Sequence, residues 1–201
     1  MTGTRPRRLP PAERRTLIED AAAHIFARDG YEAARLEDIA AAAGVTKPMI
    51  YRHFASKKAL HMALLTRHRD ALGITAVAAF MEDPSRPLTD RVDAMLDAWF
   101  AYVEQHPYVG PLLFRNTATD PDVRALVAEL HARQRAADVA LFHEAGADVP
   151  AHLEQPLAEV VRSSLTGLAL WWADHPETPR ADLVAAMHRV LDGIAPLPRG
   201  S

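Results

Sequence analysis

The residues with the clearest chemical purpose lie in one short stretch, Thr46-Lys47-Pro48-Met49-Ile50-Tyr51-Arg52-His53-Phe54. Helical spacing turns Ile50 and Phe54, four apart, to one inward side and leaves Lys47, Met49, Arg52 and His53 on the other faces. A polar, basic face of this kind offers N–H donors to partners rich in acceptors. A lysine or arginine can donate to guanine O6 and N7, and either can meet a phosphate.

The elements that would hold this face are legible on both sides. Leu36, Ile39, Ala40 and Ala43 recur at i, i+3, i+4 and i+7, the apolar stripe of a short helix. Gly44 follows, where a helix closes best through a left-handed residue without a Cβ, and Val45 tucks into the corner. Thr46 stands at the N-cap and Pro48 in the first turn of the next helix, where a missing N–H costs nothing. A helix, a glycine turn and a second helix with a basic face describe a helix-turn-helix DNA reader.

The run from Phe26 to Leu64 closely resembles the TetR family of bacterial transcriptional regulators. The residues that carry it are Phe26-Ala27 with Gly30-Tyr31, Ile39-Ala40 with Ala43-Gly44-Val45, and Tyr51-Arg52-His53-Phe54 with Ser56-Lys57 and Leu60. The resemblance covers about the first third of the chain. It implies a homodimeric regulator, most commonly a repressor. The expected partners are a pseudo-palindromic double-stranded DNA operator and an unidentified small-molecule effector, with no cofactor and no metal. Carried over by position, it makes Thr46, Lys47, Pro48, Tyr51, Arg52 and His53 the groove- or backbone-facing residues, and gives Tyr51 and Lys57 to phosphates. Lys57 also opens the following helix, whose positive end attracts phosphate. The family's usual Ser or Thr before the first of these helices is replaced by Ala34 and Arg35, and Arg35 either substitutes as the phosphate contact or is simply solvated surface.

Composition agrees with this. The 201 residues carry a net charge of −3, but residues 1–70 hold 13 Lys+Arg against 8 Asp+Glu and the remainder 10 against 18, so the basic side coincides with the helix-turn-helix. Apolar residues make up 49% of the chain, ample for a core, and cysteine is absent, which excludes disulfides and thiolate chemistry. The chain shows neither an apolar run of about 18 residues nor a signal peptide, and a soluble cytoplasmic protein is expected. Residues 1–11 are expected to form a disordered tail whose Arg5, Arg7 and Arg8 either reach the DNA beside the main site or simply keep the tail solvated.

No strand-like alternation persists, so the expected fold is all-α, with about nine helices. A three-helix DNA-binding domain spans 12–58, its helix-turn-helix about 36–55; an effector-binding and dimerisation domain spans 59–196; a tail closes at 197–201. Helices are expected over 12–29, 57–79, 88–105, a short element near 112–114, 121 to about 146, 153–174 and 179–194. The last two are apolar on more than one face and resemble the pair through which the family dimerises. In the middle, Trp99, Phe100, Tyr102, Phe114, His131, Phe142 and Trp171 are the candidate effector-binding residues, with Arg115, Asn116 and His143 nearby in sequence; core packing is the alternative for each aromatic. The motifs G-x-S-x-G, Walker A, G-x-G-x-x-G and H-E-x-x-H are absent, and His61 and His68, seven apart, lack the third ligand a metal site needs. A helical enzyme or an interaction module with a vestigial helix-turn-helix is the alternative to a regulator.

Overall fold

The computed structural model describes residues 10–115, 119–144 and 149–194. Nine helices account for them: α1 (Pro11–Ala33), α2 (Leu36–Ala42), α3 (Lys47–His53), α4 (Lys57–Met81), α5 (Leu88–Gln105), α6 (Val109–Phe114), α7 (Pro121–Glu144), α8 (Ala151–Asp174) and α9 (Arg180–Ile194). There is no strand among the described residues. Residues 1–9 with Arg5, Arg7 and Arg8, Asn116, the expected end of the seventh helix near 146 and the closing tail lie outside them.

α1 packs on α2 and α4, and α2 on α3, around Ile18, Ala22, Phe26, Ile39, Ile50 and Leu60. Gly30 takes φ +76 and breaks the helical path of α1, which resumes for one short turn to Ala33. The expected stop at Asp29-Gly30 is therefore a kink. Gly44 takes φ +64 at the turn between α2 and α3, the left-handed corner read from the sequence. Thr46 occupies the N-cap of α3 with extended backbone, yet its side chain makes no capping bond. Ser56 does cap, accepting the Ala59 N–H at 3.0 Å to open α4. Leu17, although apolar, is exposed on α1.

α4 is the spine. It packs against α1, α5, α6 and α7, so it is buried on several sides: Leu60, Leu64, Leu65, Leu72, Ala76 and Phe80 are all in the core. α5 lies along α4, α9 closes on α5, and α8 bridges α6, α7 and α9. Asp120 caps α7, accepting the N–H groups of Asp122 and Val123 at 2.9 and 3.3 Å.

Candidate nucleic-acid interface and effector cavity

α3 presents its outer side to solvent because Ile50 and Phe54 anchor the other side in the core. Arg35, Thr46, Pro48, Tyr51 and Arg52 are exposed on one side of the helix-turn-helix; Lys47 and His53 are half-buried at its edges. Arg35, Tyr51 and Arg52 make no side-chain hydrogen bond or ion pair among the described residues, so their donors point to solvent. Lys47 is different: its ammonium meets the Glu37 carboxylate of α2 at 2.5 Å, and this contact holds the lysine above its usual pKa and the glutamate below its own. A DNA acceptor would have to share or displace that carboxylate.

Lys57 is the clearest departure from the sequence reading. Its Nζ donates to the carbonyl oxygens of Tyr31 at 2.8 Å, Glu32 at 3.1 Å and Ala34 at 3.1 Å, and stands 4.7 Å from the Tyr31 ring centroid. Three donors are all a lysine has. The side chain gathers the carbonyls left open where α1 ends, and in this structure none of its N–H groups is left for a phosphate. Beside it, Lys58 reaches Asp122 at 2.5 Å and Asp120 at 3.3 Å, tying the start of α4 to the start of α7. Glu32 completes that junction by accepting the Thr119 N–H at 3.0 Å and its hydroxyl at 2.6 Å.

His61 and His68 are both core residues. His61 lies between Phe26 and Tyr31, with ring centroids 4.6 and 4.9 Å away, and neither ring nitrogen has a hydrogen-bond partner among the described residues; burial pushes its pKa down to about 4. His68 Nδ1 pairs with the Tyr102 hydroxyl at 2.8 Å. Among the described residues no group of three or more His, Asp or Glu is placed to hold a metal.

A cavity of about 340 Å³ lies between α4, α5, α7 and α8. Of the aromatic candidates, Trp99, Phe114 and Phe142 line it. Phe100 does not: it is fully buried between Trp99 and Trp172 and belongs to the core. Tyr102 does not line it; its hydroxyl pairs with His68 further along α5. Trp171 points outward from α8, 43% exposed and stacked on His175. His131 stands beside the lining rather than in it; burial, and then the charges of Arg69 and Arg162, push its imidazole down to about 4. Arg115 pairs with Asp174 and His143 with Glu154, both away from the cavity. The polar groups that do line it are chiefly Arg69, Gln134, Asp138, Arg162 and Thr166, at one end. Sequence reasoning passed over Arg69 because it sits between Arg67 and Asp70 in what reads as a solvated run. The signal that could have found it is its spacing, four after Leu65 and three before Leu72, both core residues on α4.

The comparisons with known proteins agree with this geometry. "Bacterial regulatory proteins, tetR family" matches residues 18–64, and "Tetracyclin repressor-like, C-terminal domain" matches 87–193, more than half the chain. The chain belongs to the TetR family. This TetR-family chain is 39% identical over 127 residues to the HTH-type transcriptional activator FasR of Mycolicibacterium smegmatis, a match covering 61% of this chain and 56% of that protein. It is 37% identical over 89 residues to the A-factor receptor protein of Streptomyces griseus, covering 44% and 29%. It thus spans little more than half the length of FasR and under a third of the A-factor receptor. A TetR-like regulator from Rhodococcus sp. RHA1 superposes with a TM-score of 0.75 at 21% identity, covering 92% of this chain and 98% of the other. A TetR-family regulator from Streptomyces coelicolor gives 0.70 at 26%, covering 92% and 82%. Both structures carry the fold described above. This TetR-family member is thus a helix-turn-helix transcriptional regulator, and no described helix is long and apolar enough to cross a membrane.

Proposed function

We propose that the chain acts as a cytoplasmic homodimer on a pseudo-palindromic operator, represses transcription there, and is released when a small molecule occupies the α4–α8 cavity. The observation that carries this reading is the outer side of the helix-turn-helix, where Arg35, Tyr51 and Arg52 offer donors with no acceptor among the described residues, beside the exposed Thr46 and Pro48. Lys47 and His53 border the same surface, and Lys47 joins the base-reading set once Glu37 yields it. One such helix covers only a few base pairs. Two held about 34–36 Å apart read successive major-groove turns.

The second copy has a surface to sit on. Leu153, Val160, Gly167 and Trp171 fall at i, i+7, i+14 and i+18 along α8, one stripe that no described part of the chain covers; the three large residues are 39, 45 and 43% exposed. A Cβ added at Gly167 would meet nothing within 4 Å, so a partner helix can approach closely there. The relative FasR is named an activator. Both signs of regulation follow from one change in DNA affinity, because the position of the operator relative to the promoter sets the sign.

The test is a gel shift against the DNA upstream of the gene at two salt concentrations, with a reporter for the sign. Preferential retention of one site, weakening as salt rises, is expected. Arg52→Ala should lose about 1–3 kcal/mol of discrimination against random DNA if it reads a guanine. Equal retention of operator and random DNA by the wild-type chain, or a monomer by sedimentation at the concentrations that bind, would overturn the reading.

A further inference from the structure

Arg69 is nine-tenths buried on α4 and lines the cavity. Its Nε is inaccessible to solvent and has no acceptor, and no carboxylate among the described residues stands within ion-pair distance of its guanidinium. Burial lowers its pKa to about 10, so it remains a cation at neutral pH. A buried charge with no carboxylate in contact is costly; Asp138 acts on it only at longer range, and the Phe114 ring, 5.5 Å from the guanidinium carbon, cannot replace an anion in contact. The neighbouring charges do not fill the gap. Arg162 is held by Glu159, and Asp138 accepts from Gln134 Nε2 at 2.9 Å.

Beyond this end the lining is apolar except for Glu144, which pairs with Arg91. Leu72, Ala76, Phe80 and Met81 continue along α4, faced by Leu141 and Phe142 of α7. From Arg69 to Met81 the helix advances about 18 Å, which makes the cavity long for its volume. Val77 and Met81 line it and are half exposed, which places its mouth beside that end of α4.

We propose that the cavity binds a medium-chain carboxylic acid, its carboxylate on Arg69 and its alkyl chain laid along α4 toward Met81. The planar guanidinium matches a carboxylate bidentately. A monoanion suits the site better than a phosphate dianion because Asp138 stands at the same end. Burial already pushes that carboxyl up to about 6, so it can take a proton when a second carboxylate arrives beside it.

This assignment rests on the ligand-responsive reading above but is tested without DNA. Calorimetry of the full chain with decanoate, 1-decanol and decylammonium compares one chain with three heads. Decanoate should bind at one per chain and at least about tenfold tighter than the other two. Arg69→Met should abolish that preference and Arg69→Lys should retain part of it. Val77→Trp, a change at the half-exposed rim that keeps Arg69, should weaken decanoate at least about tenfold even if Arg69→Met fails to fold. Equal affinity for the three heads, a preference that survives Arg69→Met, or undiminished binding by Val77→Trp would each overturn the proposal. Decanoate that binds as expected but leaves operator affinity unchanged would confirm the site and overturn the release step of the proposed function instead.

Discussion

A lysine can be a phosphate contact or a helix cap, and the two roles predict different losses. At Lys57 the three carbonyls of Tyr31, Glu32 and Ala34 occupy every donor the ammonium has. Lys57→Ala should therefore lower thermal stability by about 1.5–3 kcal/mol, the range for hydrogen bonds to a charged group, because those carbonyls lose their partner. The salt dependence of DNA binding should change little once folding is controlled for. If Lys57 contacts phosphate instead, the salt slope falls by about one unit and the melting temperature stays put. Position in the sequence could not separate these roles, since both call for a cation at the start of α4. The carbonyls it caps come from a segment more than twenty residues upstream, and only the kink at Gly30 brings them within reach.

At the scale of helices, the short elements were legible and the long ones only in part. α2 and α3 each have one buried side, so the i, i+3, i+4 stripe of Leu36, Ile39 and Ala40 and the pair Ile50 and Phe54 gave their orientation directly. α4 is enclosed by four other helices, so its buried Leu60, Leu64, Leu65, Leu72, Ala76 and Phe80 do not fall on one stripe that spacing alone could mark. Its histidines follow from the same enclosure. His61 is locked between Phe26 and Tyr31 at the contact of α1 with α4, and burial holds it near 4 against an ordinary 6.5. The unfolded chain then binds a proton that the folded chain refuses between those two values. Stability is fully present above about pH 6.5 and falls as pH drops toward 4. At about 1.4 kcal/mol per unit of difference, His61 alone accounts for a loss on the order of 3 kcal/mol across that window. Denaturant unfolding at pH 7 and pH 4.5 should show it, and His61→Phe should reduce the difference between the two. An equal difference in the variant would assign the acid sensitivity to other groups, His68 and His131 being next in line.

Across the whole molecule, α4 and α7 run side by side in the same direction, with Lys58 beside Asp122 near one end and Gly73 beside Gln134 further along. The DNA-reading helices adjoin the first end, and the cavity opens along the second. The junction at the first end is a set of exposed contacts, Lys58 with Asp120 and Asp122 and Glu32 with Thr119. Exposed ion pairs add little to stability, so this junction does not hold the fold together. It does make the start of α7 move with the end of α1 and the start of α4, and a ligand that alters the separation of α4 from α7 at the cavity acts on both sides of it. Replacing Glu32 and Lys58 together by alanine should thus leave folding and ligand-free operator binding nearly unchanged. The effect of ligand on operator affinity, commonly about 5–150-fold where two sites are coupled, should fall below about fivefold. Operator dissociation constants with and without decanoate, in the wild-type chain and the double variant, give the ratio. An undiminished ratio would mean that α4 alone, continuous from Lys57 to Met81, carries the signal and that the contacts of α7 with the DNA-binding helices are incidental to it.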